Sequence, residues 1–560
     1  MLTKIYDFIA ATLTTSEQQH EVKNWQLISG IILFLACGVK LYYGLQNTMD
    51  IQYADEAAYL RFGLDLFDKI NYNWGPLYAV WYKCLSAFTT NTIQLYYLNF
   101  ALVSILLVVL LYAFLIRISI HPILVLFITF SVLISNLNVT VWPRISHFCV
   151  VLCLLGLVIA TYLKNNIYKC IVFTIVCLCN AYARPEFYLA FVLMVMLTIV
   201  CIYFNEATLS KKDNSIFGFS LVVIALLHFI FRFPSNDFFG YNRGVAAFYQ
   251  HYAWNYKMRT HGTFDAWLVW EDLSKQKFGD CNSMWCVITS QPLEFISNTL
   301  FNVRTYLLQL LKVFTFVAPT EIFHWKKLQL LFLFGTVLVF FILLFRKKSR
   351  ALWVENLGKQ RFYLILLFCF IAPTLFSCIV IFPRDHYLFL QMLFFILILS
   401  AAFAFFFKST STKPILFFGI SILLFLATPN VKSYSFMKVN TETNYLCNKM
   451  LVQHLEKKYS KKPHTIFTNL PFVTGMLPKN FKEVNTIFDK KKNIPFTHYL
   501  DSANVDIVIV LPSLLRDPHI ASDSTWTNFY SNYTQFGFEK DVFNDCEIYL
   551  LMKNSSGTEQ

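Results

Sequence analysis

The stretch "YADEAAYLRFG" sets two adjacent carboxylates, Asp55 and Glu56, just past the first long apolar run of the chain. Three further groups of ionisable residues interrupt apolar runs in the same manner: Arg144 with His147 in "VWPRISHF", Arg184 with Glu186 in "NAYARPEFYLA", and Arg384, Asp385 and His386 in "IFPRDHYLFLQ". Ionisable groups at membrane depth are costly, so each is a functional hypothesis in its own right. A carboxylate can take the proton of an acceptor hydroxyl, and arginines stabilise a departing phosphate through charge-assisted, often bidentate hydrogen bonds. That combination suits group transfer from a lipid-borne phosphate. Each group also has a structural reading. Asp55 can be the N-cap of a helix running to about Phe67, with Glu56 suiting its dipole. Arg184 and Glu186 can satisfy each other at a turn where Pro185 starts a helix, and Arg384 can snorkel to lipid phosphates.

The elements that must position these residues are membrane helices. The 560-residue chain is 56% hydrophobic and 18% aromatic with 14% charged residues, and its mean hydropathy is +0.51. Continuously apolar runs of bilayer length recur from Trp25 to about Pro429. The expectation is an α-helical polytopic membrane protein with eleven spans: 25–45, 93–117, 121–140, 145–163, 167–182, 187–204, 216–232, 326–345, 361–382, 386–407 and 414–430. No small-residue cleavage pattern follows the first run, so it is expected to remain as an anchor. Basic clusters at Lys211 and Lys212, 346–350, Lys359 and Arg361, and Lys408 and Lys413 all lie inside if the segment 1–24 is cytoplasmic. The loops 46–92 and 233–325 and the tail 431–560 then lie outside, with every group named above on that same face. For this parity to hold, 303–320 must be interfacial or re-entrant. The tail alternates short β-rich runs, "HTIFTNLPF", "VNTIFD" and "VDIVIVLPS", with polar helical stretches, and reads as a small α/β domain.

Other chemistries are poorly supported. The net charge of +14 sits in short clusters between apolar runs, where orientation signals belong, so nucleic acid is not expected as a partner. No glycine-rich phosphate loop and no zinc-ligand spacing occurs. In the long outer loop, His251, His261 and Asp265 accompany Arg243 and Arg259; metal binding and contact with substrate are both open, and the loop is expected to act as a lid on the acceptor side. Most of the 14 cysteines lie in apolar runs. Cys281 and Cys286 share the outer loop, while Cys447 and Cys546 bracket the tail, so two disulfides are expected in an oxidising compartment with the pairing open.

At this point the layout resembles the GT-C glycosyltransferases, multi-spanning enzymes that include protein O-mannosyltransferases and the lipid A aminoarabinose transferase. The resemblance rests on "YADEAAYLRFG", the amphipathic "NWGPLYAVWYKCLSAF", "ARPEFYL" and "PRDHYLFL", in that order, and covers 1–430, with a tail similar to those of bacterial members. It implies an inverting transfer of a sugar from a polyprenyl-phosphate donor to a hydroxyl of a glycan, lipid or protein, on the outer face of a bacterial inner membrane. Asp55 matches the loop acid that serves as base, with Glu56 as its partner. Arg184 and Arg384 are assigned to the donor phosphate, with Arg144 more weakly, and because the late motif reads Arg-Asp-His-Tyr, His386 shares that assignment. A divalent cation, Mg²⁺ or Mn²⁺ held by Asp55 and Glu56, stays open. Two rival expectations are a transporter or flippase of lipid-linked glycans and a non-catalytic membrane assembly protein.

Overall fold

The computed structural model describes residues 23–139, 143–205, 211–233, 237–238, 241–314, 346–403, 412–434, 446–485, 495–542 and 546–554, with isolated positions between 335 and 345. The segment 1–22, most of the expected span 326–345, the end of 386–407 and residues 315–320 of the expected re-entrant segment lie outside the described residues.

Helices follow where the apolar runs are. They are α1 (Asn24–Tyr42), α2 (Asp55–Leu64), α3 (Pro76–Leu85), α4 (Thr92–Arg117), α5 (Pro122–Ile134), α6 (Ile145–Tyr162), α7 (Asn166–Ala183), α8 (Tyr188–Asn205) and α9 (Lys211–Phe231). There follow α10 (Arg243–Thr260), α11 (Ala266–Phe278), α12 (Met284–Ser290), α13 (Pro292–Phe314), α14 (Lys347–Val380), α15 (Asp385–Phe403), α16 (Pro414–Ala427) and α17 (Cys447–Tyr459). Their starts carry recognisable signals. Pro122 and Pro414 occupy the first helical turn, where a missing N–H costs nothing, and the Asn165 side chain caps α7 by accepting from the Ile167 N–H at 2.8 Å.

Among the described residues, seven stretches are long and apolar enough to cross a membrane: Asn24–Asn47, Thr92–Arg117, Ile145–Tyr162, Asn166–Ala183, Pro185–Phe204, Lys347–Val380 and Asp385–Phe403. Pro122–Ile134, Ser215–Phe231 and Pro414–Ala427 are apolar but shorter. The chain is therefore a multi-pass helical membrane protein. Large apolar side chains stand exposed on these helices, such as Val39, Phe229 at 84% and Ile415 at 82%, as a bilayer-facing surface requires. One boundary differs from expectation. The basic run 346–350 does not form a loop ahead of a span at 361: residues 347–380 are one helix of 34 residues. At 1.5 Å per residue it is about 50 Å long, well beyond a hydrocarbon core of about 30 Å, so its basic first half can extend past the apolar layer.

The chain folds as two compact units. The first comprises Met1–Leu41, Asn71–Tyr78 and Ala101–Asn430; the second comprises Tyr42–Ile70, Ala79–Phe100 and Val431–Gln560. The tail is thus not a unit by itself, because much of the first outer loop belongs with it. Its sheet contains β1 (His464–Thr468), β2 (Phe481–Asn485), β3 (Ile507–Val510), β4 (Phe538–Val542) and β5 (Tyr549–Lys553), in the spatial order β2-β1-β3-β5-β4. The β1–β2 and β1–β3 pairs are parallel, and β5 runs antiparallel to β3 and β4. Three strands were visible as β-rich runs, although β2 starts ahead of "VNTIFD" and its later residues lie outside the described set. The antiparallel pair β4 and β5 was not visible, because "FEKDV" is mostly polar and edge-exposed. Every residue of β3 is buried, matching its unbroken "IVIV".

Four cysteines outside the spans are paired, Cys281 with Cys286 and Cys447 with Cys546, while Cys84 on α3 is free and exposed. The second bridge closes 99 residues, joining the start of α17 to the approach to β5. On chain-entropy grounds a loop of that size is worth about 4–5 kcal/mol against the unfolded chain.

Candidate functional site

The acid pair belongs to the second unit. Asp55 is the first residue of α2, and the cap position ahead of it is Ala54, which makes no side-chain capping bond. Asp55 is therefore not the N-cap. Ala54 sits at φ 59°, ψ −134°, a region closed to most side chains, and such strain persists only where surrounding structure enforces it. Here the enforcing contact is visible: the Ala54 N–H donates to the Pro471 carbonyl at 2.9 Å. The turn after Pro471 is held in turn by Glu483 of β2, whose carboxylate accepts from the Phe472 and Thr474 N–H groups at 3.0 and 3.2 Å. Gly475 completes the seat, since a Cβ there would lie 2.5 Å from the Ala57 carbonyl oxygen of α2.

The other end of the acid loop is tied down as firmly. The Asp50 carboxylate accepts from the Asn448 and Lys449 N–H groups at 2.9 Å each, capping α17 from outside that helix. Burial pushes the Asp50 carboxyl above its ordinary range, against those backbone donors, which favour the carboxylate. Tyr53 donates its hydroxyl to the Asn448 carbonyl at 2.9 Å, and Asn448 returns a bond from its Nδ2 to Ile51 at 2.9 Å. Asp55 thus follows five residues that the C-terminal domain holds from two sides.

Within this frame the two acids differ. Glu56 is 1% exposed; its Oε1 accepts from the Tyr82 hydroxyl at 2.5 Å and from Asn99 Nδ2 at 3.0 Å. Asn99 Oδ1 is itself held by the Trp81 indole N–H at 2.8 Å. Asp55 is only half-buried. Glu56 is a fixed internal group, and Asp55 is the member of the pair that a substrate can reach. Tyr82 and Asn99 were missed from sequence, where nothing in their own segments marks them as partners of residue 56.

Relief of the Ala54 strain is testable. Ala54→Gly should raise unfolding stability by about 1 kcal/mol, the removed strain less the added freedom of the unfolded chain. If the strain aims Asp55, the same variant loses activity several-fold with this gain; unchanged activity in a stabilised variant would show that Asp55 tolerates relaxation. Thermal melts and turnover rates on one preparation decide it.

The basic residues lie in the first unit. Arg184 terminates α7 in extended conformation just before Pro185. Its Nε and Nη2 both reach Glu186 Oε1 at 2.6 Å, its Nη1 donates to Ser146 Oγ at 2.7 Å, and its guanidinium lies 5.2 Å from the Tyr387 ring centre. Arg384 immediately precedes α15, and Tyr387 and Leu388 donate backbone bonds to its carbonyl. Arg184, Arg384 and His251 all act electrostatically on His386, the second residue of α15. Two arginines and two imidazoles from three distant stretches of sequence are therefore gathered, with Arg384 at a helix N-terminus where the dipole also favours an anion.

His251 arrives there on α10, contrary to its expected place on a lid. Its ring stacks on Phe382 at 6.1 Å, and one turn later Asn255 donates to Asn298 and Asn302 of α13 at 2.9 and 2.7 Å. Asn302 donates onward to the Ile379 and Ile381 carbonyls at 3.0 and 3.1 Å, satisfying the carbonyl end of α14 just ahead of Arg384. The helices α10 and α13 are thus tied to each other and to the end of α14 beside the Arg384 turn.

No protein-family model matches this chain, and no curated protein is similar to it. Assignment therefore rests on the geometry, which removes several candidates. Arg144 is 1% exposed. Its guanidinium donates to the Asn138 and Val139 carbonyls at 2.7 and 2.8 Å and to Ser104 Oγ at 3.2 Å, and His147 Nε2 lies 2.7 Å away. It is an internal tie for the turn before α6 and leaves the phosphate set. Arg259 pairs with Glu294 at 2.5 Å, Asp265 caps α11 by accepting from the Trp267 N–H at 2.9 Å, and His261 closes α10 at a left-handed φ of 51°. These three each have a structural partner or place within the loop 233–325. Of the acid pair offered to Mg²⁺ or Mn²⁺, Glu56 Oε1 already accepts from Tyr82 and Asn99, and no group of three His, Cys, Asp or Glu side chains forms a metal site among the described residues. Such ions want about six oxygen ligands.

Proposed function

We propose that the protein is a membrane glycosyltransferase of GT-C type that moves a sugar from a polyprenyl-phosphate donor to an acceptor hydroxyl. The observation that carries the reading is the convergence at the start of α15 of Arg384, which precedes the helix, of Arg184, whose guanidinium lies 5.2 Å from the Tyr387 ring, of His386, whose ring lies 4.4 Å from that of Tyr387, and of His251, stacked on Phe382, an arrangement whose natural complement is an anion of phosphate character. For Asp55, in the second unit, the resemblance proposes the role of base, which takes the acceptor proton as the acceptor oxygen attacks the sugar carbon and the carbon–oxygen bond to phosphate breaks with its electron pair leaving on the phosphate. The arginines meet the charge that develops there. Glu56 holds the start of α2 from inside and takes no part in proton transfer.

Two disulfides in the loop 233–325 and in the C-terminal unit support an extracytoplasmic site in an oxidising compartment, as at the outer face of a bacterial inner membrane. A flippase would be expected to carry ionisable residues near mid-span. Here His147, Lys169 and Glu186 lie near the ends of their helices, which favours transfer over translocation.

The test uses the purified full chain in nanodiscs with a panel of polyprenyl-phosphate sugars, reading release of polyprenyl phosphate. Release that depends on an added acceptor establishes the reaction class. Headgroup translocation in liposomes without bond cleavage would overturn it in favour of a flippase.

A further inference from the structure

His251 has a property that the phosphate reading alone does not require. Its Nδ1 lies 2.6 Å from the Ala247 carbonyl one turn back on α10, so Nδ1 carries the proton of the neutral ring. That fixes the tautomer and turns Nε2 into a lone-pair acceptor. Nε2 is buried, in a residue 6% exposed, and has no hydrogen-bond partner among the described residues. A buried polar atom without a protein partner needs one from a water or a ligand. The charged and titratable groups facing it are Arg384 and His386 at the start of α15, with Arg184 acting on His386 from the end of α7. On α10 itself, the polar contact of His251 among the described residues is the Ala247 carbonyl.

An acceptor lone pair among arginines is the wrong group for a bare phosphate, whose oxygens are acceptors too. It becomes the right group once it takes a proton. We propose that His251 is a proton-capturing ligand of the phosphate monoester: its Nε2 is protonated when a doubly charged phosphate occupies the Arg184–Arg384 cluster, and then donates to it. This rests on the phosphate reading of the cluster and deepens it, because it separates the donor from the product. The donor is a phosphodiester with one negative charge. Cleavage of the sugar–oxygen bond leaves the electron pair on phosphate and makes a monoester with two charges. The acceptor proton goes to Asp55 and from there to water, His251 takes a proton from water, and that proton returns to water when the product leaves. Atoms and charge balance without any other reactant.

Burial first and Arg384 second push the His251 imidazole down to about 4. One unit charge at hydrogen-bonding distance in a partly dry site is enough to bring such a group into the neutral range, and a dianion exceeds that. The device thus favours the leaving monoester over the intact diester by charge alone, and in the transition state it acts only as the second charge develops.

The experiment is calorimetric titration of the full chain in nanodiscs with farnesyl phosphate, in buffers of different ionisation enthalpy, at a pH where the ligand is already a dianion. Wild type should take up roughly one proton per ligand, and its affinity should weaken about tenfold per pH unit as pH rises past the bound-state value. His251→Gln, which keeps a polar group near the Nε2 position but cannot be protonated, should bind farnesyl phosphate with no uptake at His251 and a flatter pH profile. A parallel arm with inorganic phosphate separates a requirement for the lipid chain from recognition of the phosphate alone. Tight binding with a flat pH profile in wild type, a measurement that needs no variant, overturns the proton capture and leaves the phosphate site standing. Absence of binding by both ligands overturns the site and this inference together. Equal proton uptake in wild type and His251→Gln assigns the proton elsewhere and also sinks the proposal.

Discussion

Asp55→Asn is expected to lower kcat about 10²–10⁴-fold, the usual contribution of a positioned general base, with KM for the donor nearly unchanged. The substitution keeps the size of the side chain and removes only its basicity. The frame around it should survive, because that frame is made by other atoms: the Ala54 N–H on Pro471, Asp50 on the start of α17 and Glu56 on Tyr82 and Asn99. Glu56→Ala is the informative companion. It strands the Tyr82 hydroxyl and the Asn99 amide in a buried place, at about 1–3 kcal/mol for each unsatisfied group, so its main effect should be on thermal stability. Glu56→Gln, which keeps an acceptor for both donors, should retain activity within about tenfold and melt close to wild type. If Glu56→Gln proves as inactive as Asp55→Asn while staying folded, the two acids have been given each other's roles.

That asymmetry marks where sequence reading stops. Two adjacent acids look alike in a string, and the cap reading for Asp55 was as good as the functional one. What separates them is burial and partners, and these come from residues 26 and 43 positions away from Glu56. Apolar runs, by contrast, were legible because a span needs only local composition and length. So were the four cysteines of the disulfides, since they lie in the outer loop and the tail away from those runs, while their pairing needed three-dimensional proximity; Cys84, also outside the runs, stays free. The grouping of the first outer loop with the tail was invisible for the same reason: Asp50 meets Asn448 across 398 positions. Ala54 gave no warning at all. A strained alanine has no sequence signature, because the strain belongs to the turn at Pro471 that imposes it. His251 was noticed as a chemistry-bearing residue but placed wrongly. Its helix is anchored through the Asn255–Asn302 contacts, and asparagines spaced along a mostly apolar helix read as ordinary polar positions until their partners are known.

The sharpest separation on the basic side is between Arg384 and Arg144, both assigned to phosphate from sequence, Arg144 the more weakly. Arg384→Gln is expected to lower kcat/KM about 10²–10³-fold, the usual loss when one preorganised group facing developing charge is removed. Stability should change little, because the bonds that fix the turn there are made by the Arg384 backbone and by Asn302 on the carbonyl end of α14. Arg144→Gln should do the reverse. Its guanidinium is spent on the Asn138 and Val139 carbonyls inside the bundle, so the variant leaves buried acceptors unmet and should lose several kcal/mol of stability, while any folded fraction turns over near the wild-type rate. Arg184 lies between these cases. Part of its charge is already answered by Glu186 at 2.6 Å, so Arg184→Gln should cost activity less steeply than Arg384→Gln and some stability as well, because Glu186 loses its counter-charge. Steady-state kinetics with a polyprenyl-phosphate sugar, set beside melts of the same three preparations, resolve the ordering. A folded Arg144→Gln with the larger kinetic defect would move the phosphate to the turn before α6 and take it away from α15.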